Sequence, residues 1–246
     1  MLVLLIGLAD ALDYLGFWGI VDPELGVRAG IALITAMITL IGGRIIPSFT
    51  RNWLMKRSET GQLPTEPGRF DHLAIGLTGI ALLLWVVAPR AAVTGAALVL
   101  AGLANLMRLA RWRGVQTWRD PLVLILHIGY AWVPAGLFLL AWSILGTAVP
   151  RTAAIHALTA GAMGTMILAV MTRATLGHTG RELRADAATI SFYGLVSVGA
   201  LIRIASALSL MDYSAGLSLS GFCWAGAFAL FLVAYGPMLL RPRLSD

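Results

Sequence analysis

The sequence predicts an all-α polytopic membrane protein: one integral domain, residues 1–246, built as a transmembrane helix bundle of about eight spans. Three observations predict it. Hydrophobic residues make up 59% of the chain and charged residues only 12%, against about a quarter charged in an ordinary globular domain. The apolar residues gather into runs of roughly 20, the length that crosses a bilayer core. No stretch sustains the apolar–polar alternation that a membrane β-barrel needs.

Each run reads as a helix. The first, residues 1–20, opens MLVLLIGLADALDY without the basic region and small-residue cleavage site of a signal peptide, so it is expected to stay as the first span. The second covers 26–47. It is followed by the one long connection, RNWLMKRSETGQLPTEPGRFD, where Gly61, Pro64, Pro67 and Gly68 break helices and the charges call for water. Spans three to five are expected at 70–88, 91–110 and 121–144. Span six, 152–175, carries small residues at every fourth position, Ala153, Ala157, Gly161, Thr165 and Ala169, a stripe that lets another helix approach closely. Spans seven and eight fall at 187–210 and 216–239. Cys223, the only cysteine, sits inside the last run as an expected buried thiol, and one cysteine makes neither an intrachain disulfide nor a cysteine-based metal cluster.

Basic residues near span ends stay on the cytoplasmic side. Arg44, Arg51, Lys56, Arg57 and Arg69 flank the second connection, Arg108, Arg111, Arg113 and Arg119 the fourth, Arg173, Arg181 and Arg184 the sixth, and Arg241 and Arg243 follow span eight. The opposite side holds only Arg28, Arg90 and Arg151, beside Asp22, Glu24 and Asp212. Both termini are therefore expected in the cytoplasm. The net charge of +6 is scattered over short turns instead of one face, so it points to lipid headgroups and away from nucleic acid. No Walker-type loop or dinucleotide-binding glycine pattern occurs.

Polar side chains at membrane depth are costly, and each calls for a functional hypothesis. Four histidines stand out: His72, His127, His156 and His178. His72 starts span three beside Asp71, as an interfacial residue would. In span six His156, Met163, Met171 and His178 fall within about 80° of one another on an ideal helix. Imidazole and thioether suit copper or haem iron, although methionines at helical spacing also fill cores. His156 and His178 lie about 33 Å apart on a continuous helix and cannot share a metal. His127 sits about 6 Å to the cytoplasmic side of mid-span and His156 about 10 Å to the other side, so depth pairs His127 better with His72. Asp13 and Arg203 reach similar depths, and an ion pair between them is expected.

Three stretches resemble one family. GGRIIPSFTRNWL at 42–54, LHIGYAWVPAG at 126–136 and HALTAGAMGTMILAVMTRATLGHTGREL at 156–183 are similar to the NnrS proteins, bacterial inner-membrane proteins associated with haem, copper and the response to nitric oxide. Family members run longer, and this chain resembles their C-terminal two thirds. The resemblance implies a multi-pass protein of the bacterial inner membrane that binds haem or copper. It implies cofactor contacts from His127, His156, Arg44 and Arg51, the arginines holding haem propionates, and metal ligation by His127, His156 and His178; depth adds His72 as a cofactor contact and the shared helix face adds Met163 as a metal ligand. Tyr130 or Thr159 would orient a ligand histidine. Helices missing relative to the family would come from another chain, or from a homo-oligomer. Two other readings stay open: a small-solute carrier, because intramembrane charges also mark transport paths, and a relative that folds without a cofactor. No serine, histidine and carboxylate set or paired carboxylate identifies an enzyme.

Overall fold

The computed structural model describes residues 2–57, 63–146 and 148–243. Helix accounts for 81% of it, and the described residues contain no strand. Eight helices follow in order: α1 (Leu2–Phe17), α2 (Leu25–Lys56), α3 (Arg69–Val87), α4 (Ala92–Arg111), α5 (Pro121–Leu145), α6 (Arg151–His178), α7 (Ala187–Ala207) and α8 (Tyr213–Leu239). Seven of them, α2 to α8, are long and apolar enough to cross a membrane. α1 has 16 residues, about 24 Å of helix against a hydrocarbon core of about 30 Å, so the expected count of about eight is seven full spans and one short helix.

Two helices carry π segments, Ile38–Gly42 in α2 and Ala157–Met163 in α6. A π turn takes one extra residue and rotates everything beyond it. α2 also runs further than expected: Arg51–Lys56, read from the sequence as loop, is its last helical stretch. Pro64, Pro67 and Gly68 do lie in irregular chain, and Gly61 falls outside the described residues.

Carboxylates at three helix starts accept the backbone N–H groups that a first turn leaves unpaired. Asp120 accepts from Leu122 and Val123, Asp186 from Thr189, and Asp212 from Ala215. Pro121 follows Asp120 at the first helical position, where its missing N–H costs nothing.

α5 is the central helix. Its most apolar stretch is 61% buried inside the protein, whereas that of α8 is 17% buried and faces outward. Neighbours reach α5 through small residues: Leu158 of α6 covers Gly136, Trp132 covers Gly161 of α6, and Phe138 covers Gly102 of α4. The expected stripe on α6 is this interface: Ala153, Ala157, Gly161, Thr165 and Ala169 are all buried. α1 rests on α2, so closely that a Cβ at Gly26 would run into the backbone of Asp13. Cys223, on α8, is only half buried and lies against Gly199 of α7.

The connections gather at two ends. Thr65 N–H bonds the Arg111 carbonyl, joining the second and fourth connections at the arginine-rich end. Asp22, Glu24, Arg28, Arg90 and Arg151 meet around one crevice at the other.

Candidate functional site

Two intramembrane histidines lie in the motifs singled out above, and they face different grooves. His127, in the second turn of α5, is buried. Its Nε2 lies 2.8 Å from Thr50 Oγ1 of α2. The Thr50 hydroxyl is also 2.9 Å from the Ile46 carbonyl, and its one proton can turn to that carbonyl or to Nε2, so this contact holds the ring in place with either tautomer. Among the described residues Nδ1 has no hydrogen-bond partner. It packs against Gly114, where a Cβ would sit 2.5 Å from it. Gly114 is brought there by Arg113, whose backbone takes the left-handed φ of 59° before the short 3₁₀ turn Gly114–Thr117. Trp112 presents its ring to His127 at 6.5 Å between centroids.

His156 stands at the last position before the π segment of α6. It is half buried and makes no hydrogen bond among the described residues. With Thr159, Met163, Arg203, Ser220 and Trp224 it lines a groove of about 440 Å³ between α6, α7 and α8. Imidazole and thioether thus face one space, whereas Met171 and His178, expected on the same face, do not line it. The Trp224 indole lies against Gly164, 3.0 Å from where a Cβ would sit, while Gly221 on α8 looks onto open space.

The remaining sequence candidates lie elsewhere. His72 and His178 are exposed at the arginine-rich end, His178 as the last residue of α6, and neither lines the groove of His127 or of His156. Arg44 is exposed, and Arg51 pairs with Glu66. Tyr130 and Thr159 orient neither histidine: the Tyr130 hydroxyl is bound to Arg108 and Asn105, and Thr159 bonds its own helix at Ile155. Thr50 is the residue that orients His127. Asp13 and Arg203 form no ion pair. α1 packs on α2, and Arg203 lies over the Tyr213 ring at 5.9 Å. Among the described residues no three His, Cys, Asp or Glu side chains converge on one point.

The structure also reveals a buried polar knot that charge counting missed. Arg108 of α4 looks like one more basic residue at a span end, yet it points inward. Its Nε donates to Asp71 Oδ1 at 3.0 Å, and its Nη1 reaches Tyr130 OH at 2.7 Å and the Thr39 carbonyl at 3.1 Å. Tyr130 OH in turn donates to Asn105 Oδ1 at 2.6 Å, and Asn105 Nδ2 donates to Thr78 at 2.7 Å. Thr39 lies in the π segment of α2, so the knot holds that segment against α4 and α5. Gly43 makes room for it, since a Cβ there would overlap the guanidinium. The available signal was Asn105 and Arg108 three residues apart inside an apolar run, one helix face carrying two costly groups.

No curated protein and no solved structure matches this chain. One family model does, over residues 1–243, and its description is NnrS protein.

Proposed function

This chain belongs to the NnrS family, and on that premise we propose that it is a bacterial inner-membrane protein that binds haem or copper in the response to nitric oxide or metal stress, with the His156 groove as its site. The observation that carries the reading is the state of His156: an imidazole at membrane depth that makes no hydrogen bond among the described residues and faces the same groove as the Met163 thioether. Both donor types suit copper and haem iron. Arg203, in the same groove, supplies a cation for the anionic edge of a macrocycle, and the open space beside Gly221 leaves room on the α8 side. Bound haem or copper would supply the redox-active metal that coordinates nitric oxide. The groove is open on one side, where a second copy of the chain or separate helices would complete the ligand set.

His127 fits a metal less well. Its Nε2 is engaged by Thr50 and its Nδ1 is closed off by the packing of Gly114, and a macrocycle over Nδ1 would meet the side chain's own Cβ.

The test is an absorption spectrum with metal analysis of the purified protein. A Soret band or stoichiometric copper is expected, abolished by His156→Ala and weakened by Met163→Leu. His178→Ala and His72→Ala should leave it unchanged. A protein with neither signal would return the weight to a small-solute carrier.

A further inference from the structure

The groove between α4 and α5 opens to the bilayer. It encloses about 550 Å³, with Leu106, Leu109, Ala110, Leu124 and Ile128 along its walls. Leu106 is 48% exposed and Ile128 38%, so these walls look outward. At the arginine-rich end the groove is closed by the Gly114–Thr117 turn. Val115 and Gln116 of that turn also line a second hollow, whose remaining residues are Trp118 and Arg119. The two spaces meet at the turn: an apolar channel that follows α5 from Leu124 to Ala131, about two helical turns, runs up to a guanidinium.

Arg119 is exposed and stands just before Asp120, the residue that caps the start of α5. This is headgroup level, the depth at which Trp side chains anchor helices, and Trp118 is 65% exposed beside it. The guanidinium lies over the Trp118 ring at 4.8 Å. Stacking occupies the face of the guanidinium and leaves its edge N–H groups to donate. Elsewhere at this end Arg51 pairs with Glu66, and Arg108 and Arg111 pair with Asp71. Among the described residues no carboxylate pairs with Arg119, and none lines either hollow. The polar end lacks an anion, and the groove fits a hydrocarbon chain.

Few molecules bring both. A free phosphate leaves the groove unfilled, and a neutral hydrocarbon leaves Arg119 unanswered. Phosphatidylcholine carries its own cation to a place that already has one. We propose that the α4–α5 groove is a binding site for an anionic phospholipid, one acyl chain lying along Leu106, Leu109 and Ile128 and the phosphate accepting from the edge of the Arg119 guanidinium. The site is separate from the His156 groove and does not depend on it.

Native mass spectrometry of the full chain in detergent measures the first binding constant of dioleoylphosphatidylglycerol, dioleoylphosphatidylcholine and oleate. The phosphatidylglycerol is expected to bind about fivefold more tightly than the phosphatidylcholine, the effect of one arginine at a membrane surface. Arg119→Gln removes the head contact, and Ala110→Trp fills the groove from an exposed position of α4. Each should bring that ratio near one with the helical circular dichroism unchanged. Arg184→Gln, which lines neither hollow, should leave the ratio as it is. His156→Ala should do the same, which keeps this result independent of the metal site. Equal binding of the two phospholipids, oleate bound as tightly as the phosphatidylglycerol, a loss in Arg184→Gln as large as in Arg119→Gln, or a ratio that survives Ala110→Trp would each overturn the proposal.

Discussion

Two arginine–carboxylate clusters stand at opposite ends of the bundle, built from the same residue types to different effect. At one end Arg108 and Asp71 have side chains 1% and 6% exposed, and Asp71 has a second, longer pair with the part-exposed Arg111 at 3.6 Å. At the other, Arg28 is 6% exposed but its partners Asp22 and Glu24 are 50% and 52% exposed, and Arg151 adds a bond to Glu24 at 2.6 Å. The difference lies in what happens when one partner is lost. Water can take over a half-exposed carboxylate, whereas a buried one keeps its charge with nothing to answer it. The buried knot also reaches further. Through Tyr130, Asn105 and Thr39 it ties α2, α4 and α5 together, while the other cluster fastens connections to one another.

The comparison assigns the two clusters to two sides of a membrane, and an all-or-none experiment can break that assignment. Single cysteines in place of Val115, 87% exposed at the arginine-rich end, and Leu210, 75% exposed at the other, are placed in a Cys223→Ser background. In intact cells an impermeant thiol reagent should label the Leu210 position and spare the Val115 position. The opposite pattern means the clusters have been assigned to the wrong sides.

Removing the buried cation should have the next largest effect. Arg108→Met leaves Asp71 with only the longer, part-exposed Arg111 pair at 3.6 Å and strips the Tyr130 hydroxyl of its guanidinium donor, and is expected to cost about 3 kcal/mol in detergent unfolding. Adding Asp71→Leu should recover part of that loss, because the pair then leaves no orphaned charge. If the single change costs no more than one at the other cluster, burial is not what distinguishes them.

Arg28→Gln sharpens the contrast from the weak side. Its partners return to water, so unfolding should shift by about 1 kcal/mol or less, and the small cost should shrink further in high salt. A loss as large as that of Arg108→Met would mean the crevice excludes water.

The smallest effect is in pH. The Asp22 carboxyl is held below its ordinary value of 3.8 by the Arg28 guanidinium first and by the Glu24 N–H second. A lowered carboxylate pKa contributes stability that is fully present above 3.8 and is lost as pH falls through the lowered value. Stability should therefore stay level in this respect at neutral pH and decline only in strong acid, and Asp22→Asn should remove that part of the decline. A slope near neutral pH that Asp22→Asn abolishes would contradict the assignment.

Much of this was legible in the chain. The small-residue stripe of α6 needed no partner to be recognised, because a close helix interface requires small side chains at every fourth position whatever it meets. Spacing on an ideal helix put His156, Met163, Met171 and His178 on one face; across the π segment only His156 and Met163 line one groove. Arg108 was misread because a span-end arginine looks the same in sequence whether it turns to headgroups or inward. Asp13 and Arg203 were matched by depth, which says nothing about which helices are neighbours, and α1 lies against α2 instead of α7.

The sequence by itself determined that this is a helical membrane protein, where its helices run and which family it belongs to, since hydropathy, run length and motif are properties of consecutive residues. Only the tertiary structure decided that His127 and His156 face separate grooves, that Thr50 holds the His127 ring at Nε2, and that Arg108 is buried. Those outcomes depend on the rotation of each helix about its own axis, and two π segments, Ile38–Gly42 and Ala157–Met163, reset that rotation partway along the spans that carry them.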